Sequence, residues 1–138
     1  MHGSCVSRNG QAVLLTGPPG SGKSDLVLRL LGRGFDLVAD DQVEIQDGTV
    51  RPPAALAGML EARGIGIVRL PYVAESQIAL VVVLAPDAER LPRPERHAEL
   101  DVPMIRLDAT AASAPDRVAL ALDCALGRVP QVAGAFAA

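Results

Sequence analysis

Tryptophan is missing from this sequence, and only three aromatic side chains, Phe35, Tyr72 and Phe136, occur in its 138 residues. Whatever core forms must therefore be filled by Val, Leu, Ile and Ala. Cysteine is scarce too. Cys5 and Cys124 stand alone without C-x-x-C spacing, which argues against a redox motif or a thiolate zinc site and leaves two ordinary buried thiols. Positive charge is not in excess: the formal net charge is −3, so the chain has no general attraction to nucleic acid or to an anionic membrane surface. Long apolar runs are absent as well. The longest, residues 78–85, is too short to cross a bilayer, and nothing at the N-terminus resembles a signal peptide, so a cytoplasmic location is expected.

What is present suits a globular fold. Hydrophobic residues make up 49% of the chain, and 138 residues suffice for one core and one domain. The stretch that organises the rest is Gly17, Pro18, Pro19, Gly20, Ser21, Gly22, Lys23 and Ser24, which satisfies G-x-x-x-x-G-K-[ST]. It follows an apolar, β-prone run (Gln11–Thr16) and precedes a helical pattern, the context a phosphate-binding loop requires. Gly17, Gly20 and Gly22 permit positive φ, so successive N–H groups can converge on one anionic ligand. The helix N-terminus adds positive potential at the same spot. Lys23 is placed to reach β and γ phosphates, and Ser24 to ligate Mg²⁺.

Upstream, Asn9-Gly10 between two β-prone runs predicts a hairpin. Downstream, Leu26, Val27, Leu30 and Leu31 recur at helical spacing, with Gly34 placed to stop the helix. Residues 35–39 read as a second strand that runs into Asp40 and Asp41. An apolar strand ending in carboxylates is the logic of a Walker B element. On an extended backbone the two neighbouring acids face opposite sides, so one meets the nucleotide and the other a metal or positioning partner. Asp47-Gly48 predicts a second hairpin. Residues 54–63 carry mixed helical character, broken by Gly64 and Gly66 before a short strand at 67–70. Residues 77–84 form an almost unbroken apolar run that suits a central strand buried on both faces. Residues 85–101 are polar and Pro-rich, with Arg90, Arg93, Arg96 and His97. A strand at 103–107 and a helix at 114–126 complete the pattern, the helix turning Val118, Leu122, Cys124 and Ala125 inward. Residues 128–138 are expected to be a flexible tail.

Four separated stretches together resemble the catalytic domain of bacterial HPr kinase/phosphorylase. They are His2-Gly3 before the first hairpin, the loop 17–24, Val38-Ala39-Asp40-Asp41, and Leu60-Glu61-Ala62-Arg63-Gly64-Ile65-Gly66-Ile67. The last is the most specific. The resemblance implies an α/β fold of the HPr kinase and phosphoenolpyruvate carboxykinase type, a P-loop nucleotide-binding domain with a mixed sheet flanked by helices, spanning 1–138 as one catalytic domain. It implies an ATP-dependent serine kinase that phosphorylates an HPr-like phosphocarrier, uses ATP and Mg²⁺, and assembles as a homo-oligomer, a hexamer in that family. It also implies residue roles. Asp40 would be the base for the substrate serine, Lys23 and Arg90 would neutralise phosphate charge, and His2 with Asp41 would hold or orient a metal. Glu61 would join Ser24 at Mg²⁺, and Arg63 would help position the site. Residues 108–116 replace a stretch that longer members associate with the phosphorylase direction, so the kinase direction is expected.

Two other readings fit the residues alone. One is a P-loop kinase for a small metabolite. The other is a nucleotide-binding regulatory module in which Asp40 does no chemistry.

Overall fold

A computed structural model describes residues 1–137. Two-residue turns with positive φ, at Asn9 and Gly10 (53° and 78°) and at Asp47 and Gly48 (51° and 77°), have the twist that joins antiparallel strands. They connect β1 (Ser4–Arg8) to β2 (Gln11–Thr16) and β4 (Glu44–Gln46) to β5 (Thr49–Arg51). Between them lie α1 (Lys23–Leu31) and β3 (Asp36–Ala39). Then come β6 (Met59–Ala62), β7 (Gly66–Arg69), β8 (Ser76–Leu84), β9 (Met104–Leu107) and α2 (Ala114–Ala125).

Seven strands form one mixed sheet in the order β3-β1-β2-β8-β5-β4, with β9 also paired to β8. β2, β8 and β9 run parallel, so their carboxyl ends, and that of β3, lie at one end of the sheet. The phosphate loop leaves β2 there. Alternation along β2 explains its central place: Val13 and Leu15 enter one apolar cluster, while Ala12 and Leu14 enter the other. The first cluster takes Leu26, Val27 and Leu30 from α1 and Val118, Ala121 and Leu122 from α2. Both helices therefore cover the same face. The opposite face is closed by Val43, Val50 and partly buried residues of connecting segments, including Val73, Leu100 and Val102.

Three local expectations change. The helical character expected over 54–63 reduces to one 3₁₀ turn, Ala54–Leu56, followed by a strand. Pro52 and Pro53 lead into that turn, and Gly58, at φ 77°, packs so tightly that a Cβ would sit 2.7 Å from the Leu70 carbonyl oxygen. Beyond it the burial has period two. Leu60 and Ala62 face inward and Glu61 outward, which is the signature of a strand; β6 pairs with β7 as a separate two-stranded sheet. In α2, Ala114 and Ala121 are buried where Cys124 was expected, and Cys124 is only partly covered. At the end of β3 the chain does not stay extended: Gln42 donates its amide to the Asp40 carbonyl two residues back (2.8 Å), and Asp41 lies at φ 70°. That is the rare, strained form of the γ-turn.

Of the expected tail, Phe136 is half-buried against the helix-side cluster, and Ala138 lies outside the described residues. No helix among the described residues is long and apolar enough to cross a membrane.

Candidate active site

The phosphate loop is held open by glycine. Gly17, Gly20 and Gly22 have φ of 156°, 80° and 98°, a path L side chains resist. A Cβ on Gly17 would stand 2.6 Å from the Ser21 hydroxyl oxygen. Gly22 caps α1 without a side-chain hydrogen bond, so the amides of the first turn remain available to an anion. The Ser21 hydroxyl is buried and has no hydrogen-bond partner among the described residues. A buried polar group without a partner costs free energy, and a phosphate oxygen in the loop is the partner its chemistry fits. Lys23 curls back on the loop, donating from Nζ to the carbonyls of Gly17 (2.7 Å) and Pro18 (3.2 Å). It is the only lysine in the sequence.

A cavity of about 360 Å³ adjoins the loop, lined by Gly20, Ser21, Gly22, Arg29, Ala109 and Thr110. Arg29 fixes its far wall, donating to the carbonyls of Ala109 (2.5 Å) and Ala111 (3.2 Å). In the same turn, hydrogen bonds from Thr110 hold the Asp108 carboxyl below the usual carboxylate range.

Asp40 lies behind the loop, 8% exposed. The Ser24 hydroxyl is 2.9 Å from both of its carboxylate oxygens, and the Ser4 hydroxyl donates to Oδ1 at 2.8 Å. An alcohol from the phosphate loop touching a carboxylate from the neighbouring strand is a donor set suited to Mg²⁺, which binds through one or two protein oxygens and completes its shell with phosphate and water. Among the described residues no three His, Cys, Asp or Glu side chains cluster to cage a metal, and Mg²⁺ needs no such cage.

The other expected site residues are dispersed. Asp41 is exposed beside Asp40. His2 is exposed too and pairs through its backbone with Gln42, which brings it alongside the acid pair. Glu61 sits on the outer side of β6, and Arg63 in the turn that follows. Arg90 is exposed in the 85–97 segment, next to a second cavity of about 530 Å³ between that segment and β9. There Arg106 pairs with Glu95 and holds its carboxyl below the ordinary range. Sequence reasoning missed Ser4. It belongs to no motif; the one trace is a small polar residue in an otherwise buried strand.

Comparison with known proteins places the chain in a family. The family model described as HPr Serine kinase C-terminal domain matches residues 1–101. The HPr kinase/phosphorylase of Clostridium acetobutylicum is 35% identical over 124 residues, covering 78% of this chain and 41% of that protein. That of Clostridium novyi is 48% identical over 75 residues, covering 51% and 24% respectively. The chain thus spans well under half of these relatives' length. The structure of the Hpr(Ser) kinase/phosphatase from Coxiella burnetii matches with a TM-score of 0.74 at 24% identity, over 92% of this chain and 90% of that one, which supports the same fold.

Proposed function

This chain belongs to the HPr serine kinase C-terminal domain family, and from that membership we propose that it transfers the γ-phosphoryl group of ATP to a serine hydroxyl of an HPr-like phosphocarrier protein. The observation that carries the reading is the contact of the Ser24 hydroxyl with both Asp40 oxygens at 2.9 Å, beneath a glycine loop onto whose carbonyls Lys23 folds back. A loop that only bound phosphate would not need a buried carboxylate on its metal-side hydroxyl.

In this reading the loop amides, the Ser21 hydroxyl and Lys23 bind the β and γ phosphates, Lys23 leaving the Gly17 and Pro18 carbonyls to do so. Ser24 and Asp40 would hold Mg²⁺, and Glu61, on the outer side of β6, would be a further ligand by the family resemblance. Mg²⁺ held there would supply positive charge against the phosphate charge that develops during transfer. The expectation for the acid pair is revised. Asp40 accepts from the Ser24 and Ser4 hydroxyls and is almost fully buried, so an incoming protein hydroxyl meets Asp41, which is exposed one residue on. Asp41 takes the serine proton as the serine oxygen bonds to phosphorus and the bond to the β-phosphate oxygen breaks, its electron pair leaving with ADP. His2 lies beside Asp41 and orients it. Arg90 neutralises the equatorial oxygens, and Arg63 orders the hairpin. The protein acts as a homo-oligomer.

The test is transfer itself. With Mg²⁺, γ-labelled ATP and a purified HPr-like carrier, label appears on the carrier and not on one whose acceptor serine is replaced by alanine. Absence of label from both overturns the reading, and label on a small hydroxylated metabolite instead would make the protein a metabolite kinase.

A further inference from the structure

The strained turn at Asp41 is held from β1, and one residue of β1 does this with its side chain. Gly3 donates its amide to the Asp41 carbonyl at 3.0 Å. Were the ladder to continue, the Asp41 amide would find a backbone acceptor on β1. The γ-turn removes that option, and the register between β1 and β3 shifts at Cys5 and Val6. The Asp41 amide instead donates to the Ser4 hydroxyl oxygen at 3.1 Å. Because that oxygen accepts there, its single proton is left for the Asp40 carboxylate, 2.8 Å away. Ser4 is 0% exposed, so no water can easily substitute for either bond. One hydroxyl thus fixes the backbone of one acid and the carboxylate of the other.

We propose that Ser4 is a positioning residue for the acid pair: it holds Asp41 in its positive-φ turn and aims the Asp40 carboxylate at Ser24. The inference rests on the kinase reading above. The loss of such a residue shows in geometry beyond the cost of two unmade hydrogen bonds, since a displacement of about 1 Å in a reacting group can cost roughly 100-fold in rate.

The test compares Ser4→Ala and Ser4→Thr with the unmodified chain. For Ser4→Ala, kcat for carrier phosphorylation falls about 10- to 100-fold while the chain stays folded at the assay temperature and its affinity for ATP without Mg²⁺ stays close to that of the unmodified chain; the two unmade buried bonds lower the melting temperature by several degrees. Ser4→Thr, which keeps the hydroxyl, restores most of kcat. Full kcat in Ser4→Ala overturns the proposal, as does a loss of kcat accompanied by an equal loss of metal-free ATP affinity or by unfolding. A second measurement needs no transfer. Calorimetry of ATP binding with and without Mg²⁺ shows a gain on adding the metal, and that gain shrinks in Ser4→Ala and returns in Ser4→Thr; an unchanged gain overturns the role of Ser4. If the unmodified chain labels no carrier, the kinase reading fails, and this binding difference still decides Ser4.

Discussion

Asn is the substitution that separates the two acids, because it preserves shape at both positions and tolerates the left-handed backbone that Asp41 adopts at φ 70°. Asp41→Asn therefore leaves the γ-turn and the fold intact and removes only a proton acceptor. A general base contributes about 10²- to 10⁴-fold, or roughly 3–5 kcal/mol of barrier at 1.36 kcal/mol per decade. We expect kcat to fall by that factor with unchanged affinity for Mg²⁺-ATP. Asp40→Asn acts differently. Its amide can still accept from Ser4, and the Ser24 hydroxyl can turn to accept from the new NH₂, so the packing survives while the negative charge does not. The loss then appears in metal-dependent binding: the gain in ATP affinity on adding Mg²⁺ falls by about 10- to 100-fold, the scale of losses seen around metal sites. Steady-state kinetics on the carrier and calorimetry of ATP with and without Mg²⁺ read the two effects separately. If Asp40→Asn abolishes turnover with Mg²⁺-ATP binding intact, and Asp41→Asn turns over normally, the division of roles is refuted and the base is Asp40.

Because Lys23 is the only lysine, an amine-reactive reagent has one side chain to modify, and ATP at ten times its Kd slows that modification about tenfold; equal rates with and without ATP would place the nucleotide elsewhere. Gly17→Ala puts a Cβ 2.6 Å from the Ser21 oxygen at φ 156°, strain of about 1–3 kcal/mol. Calorimetry should show ATP affinity reduced about tenfold or more, and unchanged affinity would mean the loop relaxes freely. Burial pushes the Cys5 thiol far above its ordinary value, whereas Cys124 is partly exposed. In the native state a thiol reagent at pH 8 therefore labels Cys124 alone, with Cys5 reacting only after denaturation; two fast thiols would contradict the packing of β1.

Local chemistry made much of this fold legible. The pairs Asn9-Gly10 and Asp47-Gly48 announce their hairpins because each needs two residues at positive φ, and the run through Val81, Val82 and Val83 could only be a strand covered on both sides. The phosphate loop is legible for the same reason, since glycine, lysine and hydroxyl are each demanded by a ligand. Residues 54–63 were not legible. Ala54, Ala55, Leu56, Leu60 and Ala62 favour a helix one residue at a time, and only the tight packing at Gly58 and the pairing of Leu60 with Val68 turn the segment into a strand. The γ-turn at Asp41 was hidden too, because a two-residue hydrogen bond leaves no composition signal. Ser4 followed from it: its value depends on where the Asp41 amide points, which no pattern in β1 records.

Two identical side chains next to each other can do different work only if the backbone between them breaks symmetry. In a continuing strand Asp40 and Asp41 would face opposite sides of the sheet, and the second would point away from the chemistry. In a helix they would splay about 100° apart on a rigid surface. The γ-turn reverses the chain within one residue, leaving Asp40 sealed against Ser24 and Asp41 at the surface beside it. Strain of this kind persists only where neighbours over-determine it, and here the neighbours are the Gly3 amide, the Ser4 hydroxyl and the edge pairing of His2 with Gln42. On the proposed reading, a buried acid that would keep a metal and an exposed acid that would meet a protein substrate come from one dipeptide. His2, Gly3 and the first residue of β1 hold that dipeptide bent.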